Sequence, residues 1–168
     1  MYREAMQMKK KNNGLSIQQL NIEDSEIAEK VWTIQIPAYE AEAELIKFWD
    51  LPPLRETAAS LQQCGETFYG GFINGQLAGA VSFKTTVAKL HIHRLMVHPH
   101  FFRQGVARSL LHHVEQLAAG KKDILVSTGT DNSPAVQLYK HCGFKEIEKI
   151  TTTEGLSLTF FKKEKRLP

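Results

Sequence analysis

The sequence predicts one α/β (α+β) domain in which helices flank a mixed, mostly antiparallel central sheet. Its 168 residues, of which 42% are hydrophobic and 23% charged, are enough for a single globular domain with a full core. Asn74-Gly75, the strongest short signal for a β-hairpin, lies between two strand-like runs within residues 67–84. Residues 90–119 and 123–144 each read as a strand, a turn and a helix.

The N-terminal end of the chain separates a polar lead-in from the domain. Residues 1–14 carry several lysines and end in Asn12-Asn13-Gly14, so we expect a flexible segment there. The domain is therefore assigned to residues 15–168, and residues 15–21 read as its first strand.

Helices are predicted next, over a stretch that prolines interrupt. Asp24 or Ser25 can cap a helix with one apolar face. Pro37 is expected to break or end this helix, because proline lacks the backbone N–H that a helix interior needs. A second short helix is expected from Glu40 to Phe48, and a third over residues 54–63.

The strand at residues 87–97 follows the hairpin, and its apolar pattern changes phase. Apolar and polar residues alternate up to Ile92 and again from Leu95, but the two runs are one residue out of step. A β-bulge near His93-Arg94 would produce that slip.

The remaining elements alternate between helix and strand before the chain closes with a hairpin. The pattern predicts a helix over residues 104–119, a strand over 123–129 and a helix over 133–142. Residues 145–163 read as a closing pair of strands around Glu154-Gly155.

The loop that ends in Gly105 is the first candidate binding site. The first turn of the following helix has N–H groups without helical partners and carries partial positive charge. Gly105 has no side chain to keep a phosphate away from the backbone. The order strand, glycine loop and helix therefore indicates an anion site, although a glycine before a helix is also an ordinary turn.

Two motifs near these turns are more specific than the glycine loop alone. They read Val97-x-Pro99 with Gly105-x-Ala107, and Asn132-x-x-Ala135-x-x-Leu138-Tyr139-x-x-x-Gly143-Phe144. In these motifs the chain resembles the GNAT superfamily of N-acetyltransferases, over roughly residues 15–165. The resemblance implies that the chain binds acetyl-CoA, and that the strands at 87–97 and 123–129 splay apart around the pantetheine arm.

The resemblance also implies which residues bind acetyl-CoA. Backbone N–H groups from Phe102 to Ala107 would hold the diphosphate, and the strand Leu95–Val97 would pair with the pantetheine arm. Phe102 stands where the family usually has arginine or glutamine, so no polar side-chain contact is expected there. The full set is Leu95, Met96, Val97, Phe102, Arg103, Gln104, Gly105, Val106, Ala107, Arg108, Asn132 and Tyr139.

Four side chains of this set have more specific expectations. Arg103 and Arg108 are the candidates for phosphate contact, because a guanidinium offers several donors. Asn132 could bond the pantetheine amides, cap its helix, or do both. Tyr139 matches the tyrosine that in the family lies near the sulfur as general acid, so we expect it to protonate or position the departing thiolate.

The base that takes the proton of the amine is left open. His91 and His93 lie two apart on a strand and share a face, and a histidine pKa near 6.5 suits a base at neutral pH. Glu40, Glu42 and Glu44 compete with them from the acceptor side.

An aromatic and acidic stretch, residues 39–50, could receive a cationic amine. The alternative interpretation places Phe48 and Trp49 in the core and the glutamates on a solvated helix face. The sequence alone favours this second interpretation for each single residue.

Composition limits the other classes of function. A net charge of +3 suits a cofactor with several phosphates and is too small to indicate a nucleic-acid partner. Cys64, Cys142 and the histidine pairs lack the spacing of a metal site, so no metal is expected. No apolar run approaches the ~20 residues of a membrane span, and no signal peptide is evident, so we expect no membrane partner and a cytoplasmic protein.

We therefore expect an acetyl-CoA-dependent N-acetyltransferase, an acyltransferase that moves the acetyl group to a primary amine by direct attack. The acceptor would be a small molecule or a peptide, which a fold shared by many enzymes does not identify. A non-catalytic acyl-CoA-binding regulatory module is the alternative, because Phe102 departs from the family pattern. Whether the chain forms a homodimer is left open.

Overall fold

The computed structural model describes residues 14–166. The predicted lead-in, residues 1–14, lies outside the described residues except for Gly14, and so do residues 167–168. Of the helices in the described range, none combines the length and the apolar character that a bilayer-spanning helix requires.

Between residues 14 and 166, seven strands form one sheet. The strands are β1 Leu15–Leu20, β2 Thr67–Ile73, β3 Gln76–Thr85, β4 Lys89–Val97, β5 Asp123–Gly129, β6 Lys145–Thr151 and β7 Ser157–Lys163. Their order is β1-β2-β3-β4-β5-β7-β6, and every neighbouring pair is antiparallel except the parallel pair β4 and β5. The mixed, mostly antiparallel sheet predicted from the sequence is thus confirmed.

Helices cover both faces of this sheet. The α-helices of the described range are α1 Ser25–Ile46, α2 Ala58–Gln62, α3 Val106–Ala118 and α4 Ser133–His141. On one face, α1 and α2 bury Val31 and Leu61 against Phe68 of β2. On the other face, α3 and α4 bury Leu110 and Tyr139 against strand residues that include Phe161. Burial of each large apolar side chain favours the folded state by about 1.5–3 kcal/mol over leaving it exposed.

The hairpin at Asn74-Gly75 has the predicted geometry. Asn74 has φ +50° and Gly75 has φ +77°, so both central residues are left-handed. A turn with two left-handed residues matches the right-handed twist of the strands that it joins, here β2 and β3.

The predicted β-bulge lies at His93 of β4. Ser82 of β3 pairs with Arg94 and Phe83 pairs with Ile92, so His93 is the extra residue. Ile92 before the bulge and Leu95 after it both pack toward the α3 face. Because of the bulge, Arg94 points to the α1 face, where it bonds a side chain of α1.

The strands β4 and β5 separate after a short parallel contact. Only Lys89–His91 of β4 pairs with Asp123–Leu125 of β5 in the described structure. Farther along, β4 keeps β3 as its neighbour through the Gly79–Val97 pair. The edge of β4 that faces β5 therefore lacks a strand partner from Ile92 onward, which is the splay that the resemblance implies.

Helix α1 runs through Pro37, so the prediction that Pro37 ends the first helix is wrong. The separate helix predicted from Glu40 to Phe48 is the C-terminal half of α1. A proline inside a helix costs about 3 kcal/mol or more. Both halves of α1 are nevertheless packed, since Val31 and Ala43 are fully buried, and this burial offsets the lost hydrogen bond. The helix ends where Lys47 adopts a left-handed φ of +57°.

The helix predicted over residues 54–63 is divided in two. Residues Pro52–Arg55 form a short 3-10 helix, and α2 begins after Thr57. The Thr57 hydroxyl accepts the N–H of Ser60 at 3.1 Å, and the Ser60 hydroxyl accepts the N–H of Thr57 at 2.9 Å. This reciprocal cap fixes the start of α2 and interrupts the longer helix.

Candidate active site

A cavity of about 480 Å³ lies beside the part of β4 that has lost its neighbour β5. Its wall combines the end of β4, the loop and first turn of α3, one side of α4 and the C-terminal half of α1. All of the predicted cofactor-binding residues except Gln104 line it: Leu95, Met96, Val97, Phe102, Arg103, Gly105, Val106, Ala107, Arg108, Asn132 and Tyr139. The structure thus brings these side chains to one place, while their binding role stays a prediction.

The loop before α3 forms part of the cavity wall. Gly105 has φ +77° and precedes the first residue of α3, and no side chain within residues 14–166 caps this helix. Arg103 is also left-handed, with φ +61°. A methyl group placed on Gly105 would meet no atom within 4 Å, so the space in front of the glycine is open. Uncapped N–H groups at an open helix start are suited to bind a phosphate.

Gln104 is the one predicted cofactor residue outside the cavity lining. Its Nε2 donates to the carbonyl oxygen of His100 at 3.5 Å, along the loop rather than toward the cavity. Phe102 does line the cavity and is 49% exposed there. The loop therefore offers an aromatic face and backbone donors where the family pattern has a polar side chain.

Tyr139 lies on α4 and is 4% exposed. Its ring packs against Phe161 and Phe144, with centroids 5.5 and 5.7 Å away. Burial, reinforced by the charge of Glu42, raises the pKa of Tyr139 well above its usual range. The phenol therefore stays protonated at neutral pH and can act as a hydrogen-bond donor in the cavity.

Asn132 caps α4, as one of its two predicted roles requires. Its Oδ1 accepts the N–H of Ala135 at 3.3 Å, and its Nδ2 donates to Oγ1 of Thr128 at 3.2 Å. The oxygen and the nitrogen of the Asn132 side-chain amide thus both make hydrogen bonds near the end of β5. The other role, a contact with the pantetheine amides, stays a prediction.

Glu42 is the acidic residue of α1 that the structure directs into the cavity. Its Oε1 accepts a hydrogen bond from Oγ1 of Thr128 at 3.5 Å, and Gly129 and Asn132 lie beside the carboxylate. Burial raises the pKa of Glu42, and neighbouring Asn132, Gly129 and Thr128 oppose that rise only in part. Nearby Tyr39 also lines the cavity, and burial together with Glu42 raises its pKa.

The alternative interpretation of residues 39–50 put the glutamates on a solvated helix face and Phe48 and Trp49 in the core. It holds for the other glutamates and for Phe48, but not for Trp49. Glu40 and Glu44 are exposed on the outer side of α1. Phe48 is partly buried, whereas Trp49 is 60% exposed, so its predicted place in the core is wrong.

Sequence reasoning left the three glutamates open because it stopped the first helix at Pro37. In the continuous α1, the helical period puts Glu42 on the side of buried Val31, with Glu40 and Glu44 opposite.

His91 and His93 lie on β4 and are exposed, with ring centroids 4.9 Å apart. Neither is among the residues that line the cavity. Partial burial, together with neighbouring His93, lowers the pKa of His91. Their role as base stays a prediction without support from the cavity geometry. In the range 14–166, no three His, Cys, Asp or Glu side chains are placed to hold a metal ion.

A buried ion network holds the segment between α1 and α2 against β4. Arg94 is 8% exposed, and its guanidinium bonds both carboxylate oxygens of Glu66, at 3.0 and 3.1 Å. Its Nη1 also donates to Oε2 of Glu56 at 2.6 Å and to Oε1 of Gln35 in α1 at 3.0 Å. Glu56 follows the 3-10 helix, so this network fixes the chain between α1 and α2. Sequence reasoning did not identify it, because its partners are far apart in the chain.

Comparison with known proteins adds a family match to this geometry. The model of the acetyltransferase (GNAT) family matches residues 28–144. The UPF0157 protein YqkA of Bacillus subtilis is 38% identical over 145 residues, 86% of this chain and 42% of that protein. A streptothricin acetyltransferase of Escherichia coli is 35% identical over 79 residues, 45% of each chain. The chain thus spans less than half the length of these curated relatives.

Solved structures share the fold at low sequence identity. The ribosomal-protein-S18-alanine N-acetyltransferase of Escherichia coli superimposes with a TM-score of 0.73 at 17% identity, over 92% of this chain and 96% of that one. The PaiA N-acetyltransferase of Thermoplasma acidophilum, solved in complex with coenzyme A, superimposes with a TM-score of 0.69 at 18% identity, over 90% of this chain and 99% of that one. These likenesses support the fold described above.

Proposed function

The chain belongs to the GNAT family of acetyltransferases, and from this membership we propose that it transfers the acetyl group of acetyl-CoA to a primary amine. The observation that carries the proposal is a single cavity that holds both an uncapped helix start at Gly105 and the phenol of Tyr139. The first suits the diphosphate of coenzyme A, and the second suits the sulfur end of the same molecule.

The residues present fit acetyl-CoA. The N–H groups that begin α3 would hold the diphosphate, with Arg103 and Arg108 beside them in the cavity wall. The free edge of β4 at Leu95–Val97 would pair with the amides of the pantetheine arm, as a strand would. When bound, acetyl-CoA supplies an acetyl thioester that is reactive toward an amine.

In the proposed reaction the amine nitrogen forms a bond to the acetyl carbon, and the bond from that carbon to sulfur breaks. The sulfur leaves with the electron pair and takes up a proton. Tyr139 would donate a hydrogen bond to it, and two observations support this role: Tyr139 lines the cavity, and its phenol is kept neutral. An N–H group of β4 near Leu95 would stabilise the negative charge that develops on the carbonyl oxygen.

A second candidate function is a non-catalytic acyl-CoA-binding regulatory module. Phe102, 49% exposed at the cavity, supports this candidate, because the family usually has a polar residue there. The position of Tyr139 in the cavity supports catalysis instead. The chain's amine acceptor, a homodimeric state, the lack of nucleic-acid and membrane partners, and a cytoplasmic location all stay predictions.

Two measurements test the proposal. Calorimetry should show that the protein binds acetyl-CoA, and no binding at millimolar acetyl-CoA would overturn both candidate functions. Release of the free thiol should then be followed with a panel of primary amines, including polyamines, aminoglycosides, amino acids, peptides and streptothricin, the substrate named for one relative. Binding without thiol release for any acceptor would favour the regulatory module.

A further inference from the structure

We propose that Glu42 accepts the proton that a cationic primary amine must lose before it attacks, which makes it the base of the acetyl transfer. The inference rests on the proposed function and adds a residue and a substrate class to it. The acceptor would be an amine that is protonated in solution and enters from the side of α1.

The need for a base follows from the ionisation of alkyl amines. An amine with a lysine-like pKa of about 10.4 is neutral in only ~4 molecules per 10,000 at pH 7. A carboxylate beside the reacting centre would attract the protonated amine and then take its proton.

Glu42 has the position that this role requires. It lines the same cavity as Tyr139, and the charge of Glu42 acts on the phenol. Glu42 comes from α1 on one face of the sheet, whereas Tyr139 comes from α4 on the other. An amine between them would have its proton acceptor on one side and the proposed donor to sulfur on the other.

The carboxylate has one hydrogen-bond donor and still has capacity for another. Oγ1 of Thr128 donates to its Oε1 at 3.5 Å, and Gly129 and Asn132 lie beside it. An ionised carboxylate offers about four acceptor positions, so a place remains for an ammonium N–H. The ionisable groups that share the cavity wall are Tyr39, Tyr139, Arg103 and Arg108. Both tyrosines are neutral at pH 7, because burial raises their pKa values.

The proton balance of the reaction is closed. The ammonium gives one proton to the Glu42 carboxylate and becomes a neutral amine. The amine forms the carbon–nitrogen bond, and its second proton goes to the departing sulfur, directly or through the Tyr139 hydroxyl, which donates one proton and regains another. Glu42 afterwards releases its proton to solvent. Burial raises the pKa of Glu42, so its carboxylate is a stronger base than an exposed one.

The test compares two kinds of amine in the Glu42→Gln variant. For an alkyl amine we expect kcat/KM to fall about 10²- to 10⁴-fold, the usual contribution of a base. For an alkoxyamine, which is already neutral at pH 7, the loss should be far smaller, because no proton has to leave before attack. Acetyl-CoA affinity should not change. Glu40→Gln, an exposed glutamate on the same helix, is the matched control and should retain full activity.

The pH profile provides a second readout that a structural role would not change. With the alkyl amine, the wild-type kcat/KM should rise as Glu42 ionises and then level off. In Glu42→Gln it should keep rising about tenfold per pH unit up to the pKa of the amine, because only the neutral amine reacts. Glu42→Asp should keep the plateau at lower activity. An equal loss with both amines, or a wild-type profile in Glu42→Gln, would overturn the assignment. A wild-type protein that releases no thiol would instead overturn the proposed function.

Discussion

The Glu42 carboxylate and the Tyr139 phenol face one cavity from opposite faces of the sheet. A continuous sheet would keep side chains of the two faces apart. Here β4 and β5 pair only through Lys89–His91 and Asp123–Leu125, so a gap opens between the faces. The splay therefore lets two ionisable groups from different layers approach one cavity.

Tyr139→Phe should lower kcat for acetyl transfer by about 10²-fold, at the lower end for acid catalysis. Phenylalanine keeps the ring contacts with Phe144 and Phe161, so the melting temperature should hardly change. Tyr69→Phe is the control, because Tyr69 packs on His113 at 4.6 Å and is not among the cavity-lining residues. A Tyr139→Phe enzyme with unaltered kcat would remove the acid role.

Gly105→Ala should weaken acetyl-CoA binding by at least about tenfold, since its methyl group would stand where the diphosphate approaches the backbone. Alanine at φ +77° should also cost about 1–2 kcal/mol of stability. Gly75→Ala separates the two effects, because Gly75 has the same φ of +77° and equally open surroundings in the β2–β3 turn. Calorimetry should show an affinity loss for Gly105→Ala alone. Equal affinities in the two variants would argue against diphosphate binding by the backbone N–H groups around Gly105.

His91→Ala and His93→Ala should both keep the shape of the wild-type pH profile of kcat/KM. Both side chains are exposed on β4 and neither lines the cavity, so neither is placed to reach the amine. The profiles should be recorded with the same alkyl amine that is used for Glu42→Gln. If either histidine variant lost the rise of kcat/KM with pH that precedes the plateau, the base would be that histidine and not Glu42.

The Arg94–Glu66 pair should make stability fall in acid. Burial tends to raise the pKa of Glu66, but hydrogen bonds from Arg94 and Ser82 outweigh it and hold the pKa below its usual value. The stabilisation is therefore complete above the unfolded-state pKa and is lost as pH falls through the lower folded-state pKa. Denaturant unfolding from neutral to acidic pH should show this fall in wild type and a flatter dependence in Glu66→Gln.

Two further variants serve as controls for the Glu66 pair. Arg94→Met leaves two carboxylates unpaired and should cost about 3–5 kcal/mol at neutral pH. Glu164→Gln removes a surface pair with Lys162, whose 3.4 Å contact involves a glutamate side chain that is 74% exposed. Its effect should stay within about 0.5 kcal/mol. A Glu66→Gln protein that loses stability in acid as steeply as wild type would show that other groups cause the acid dependence.

Local backbone features were readable from the sequence where the signal lies within a few residues. Asn74-Gly75 predicts its turn because both positions need left-handed backbone, and the phase slip at His93 predicts the bulge because side chains alternate along a strand. The prediction for Pro37 was wrong because contacts far from it in the chain outweigh its local effect. Its local cost is real, but burial of Val31 and Ala43 on either side of it keeps α1 continuous.

The sequence by itself determined the strands, the glycine loop before α3 and the family, because each depends on neighbouring residues and on motifs of fixed spacing. Only the tertiary structure decided that Glu42, and neither Glu40 nor Glu44, faces Tyr139. Glu42 meets Thr128 across 86 positions of the chain. The inward position of Glu42 depends on α1 continuing past Pro37 in step with Val31, which the local cost of a proline does not predict. The contact also depends on how α1 packs across the gap between β4 and β5.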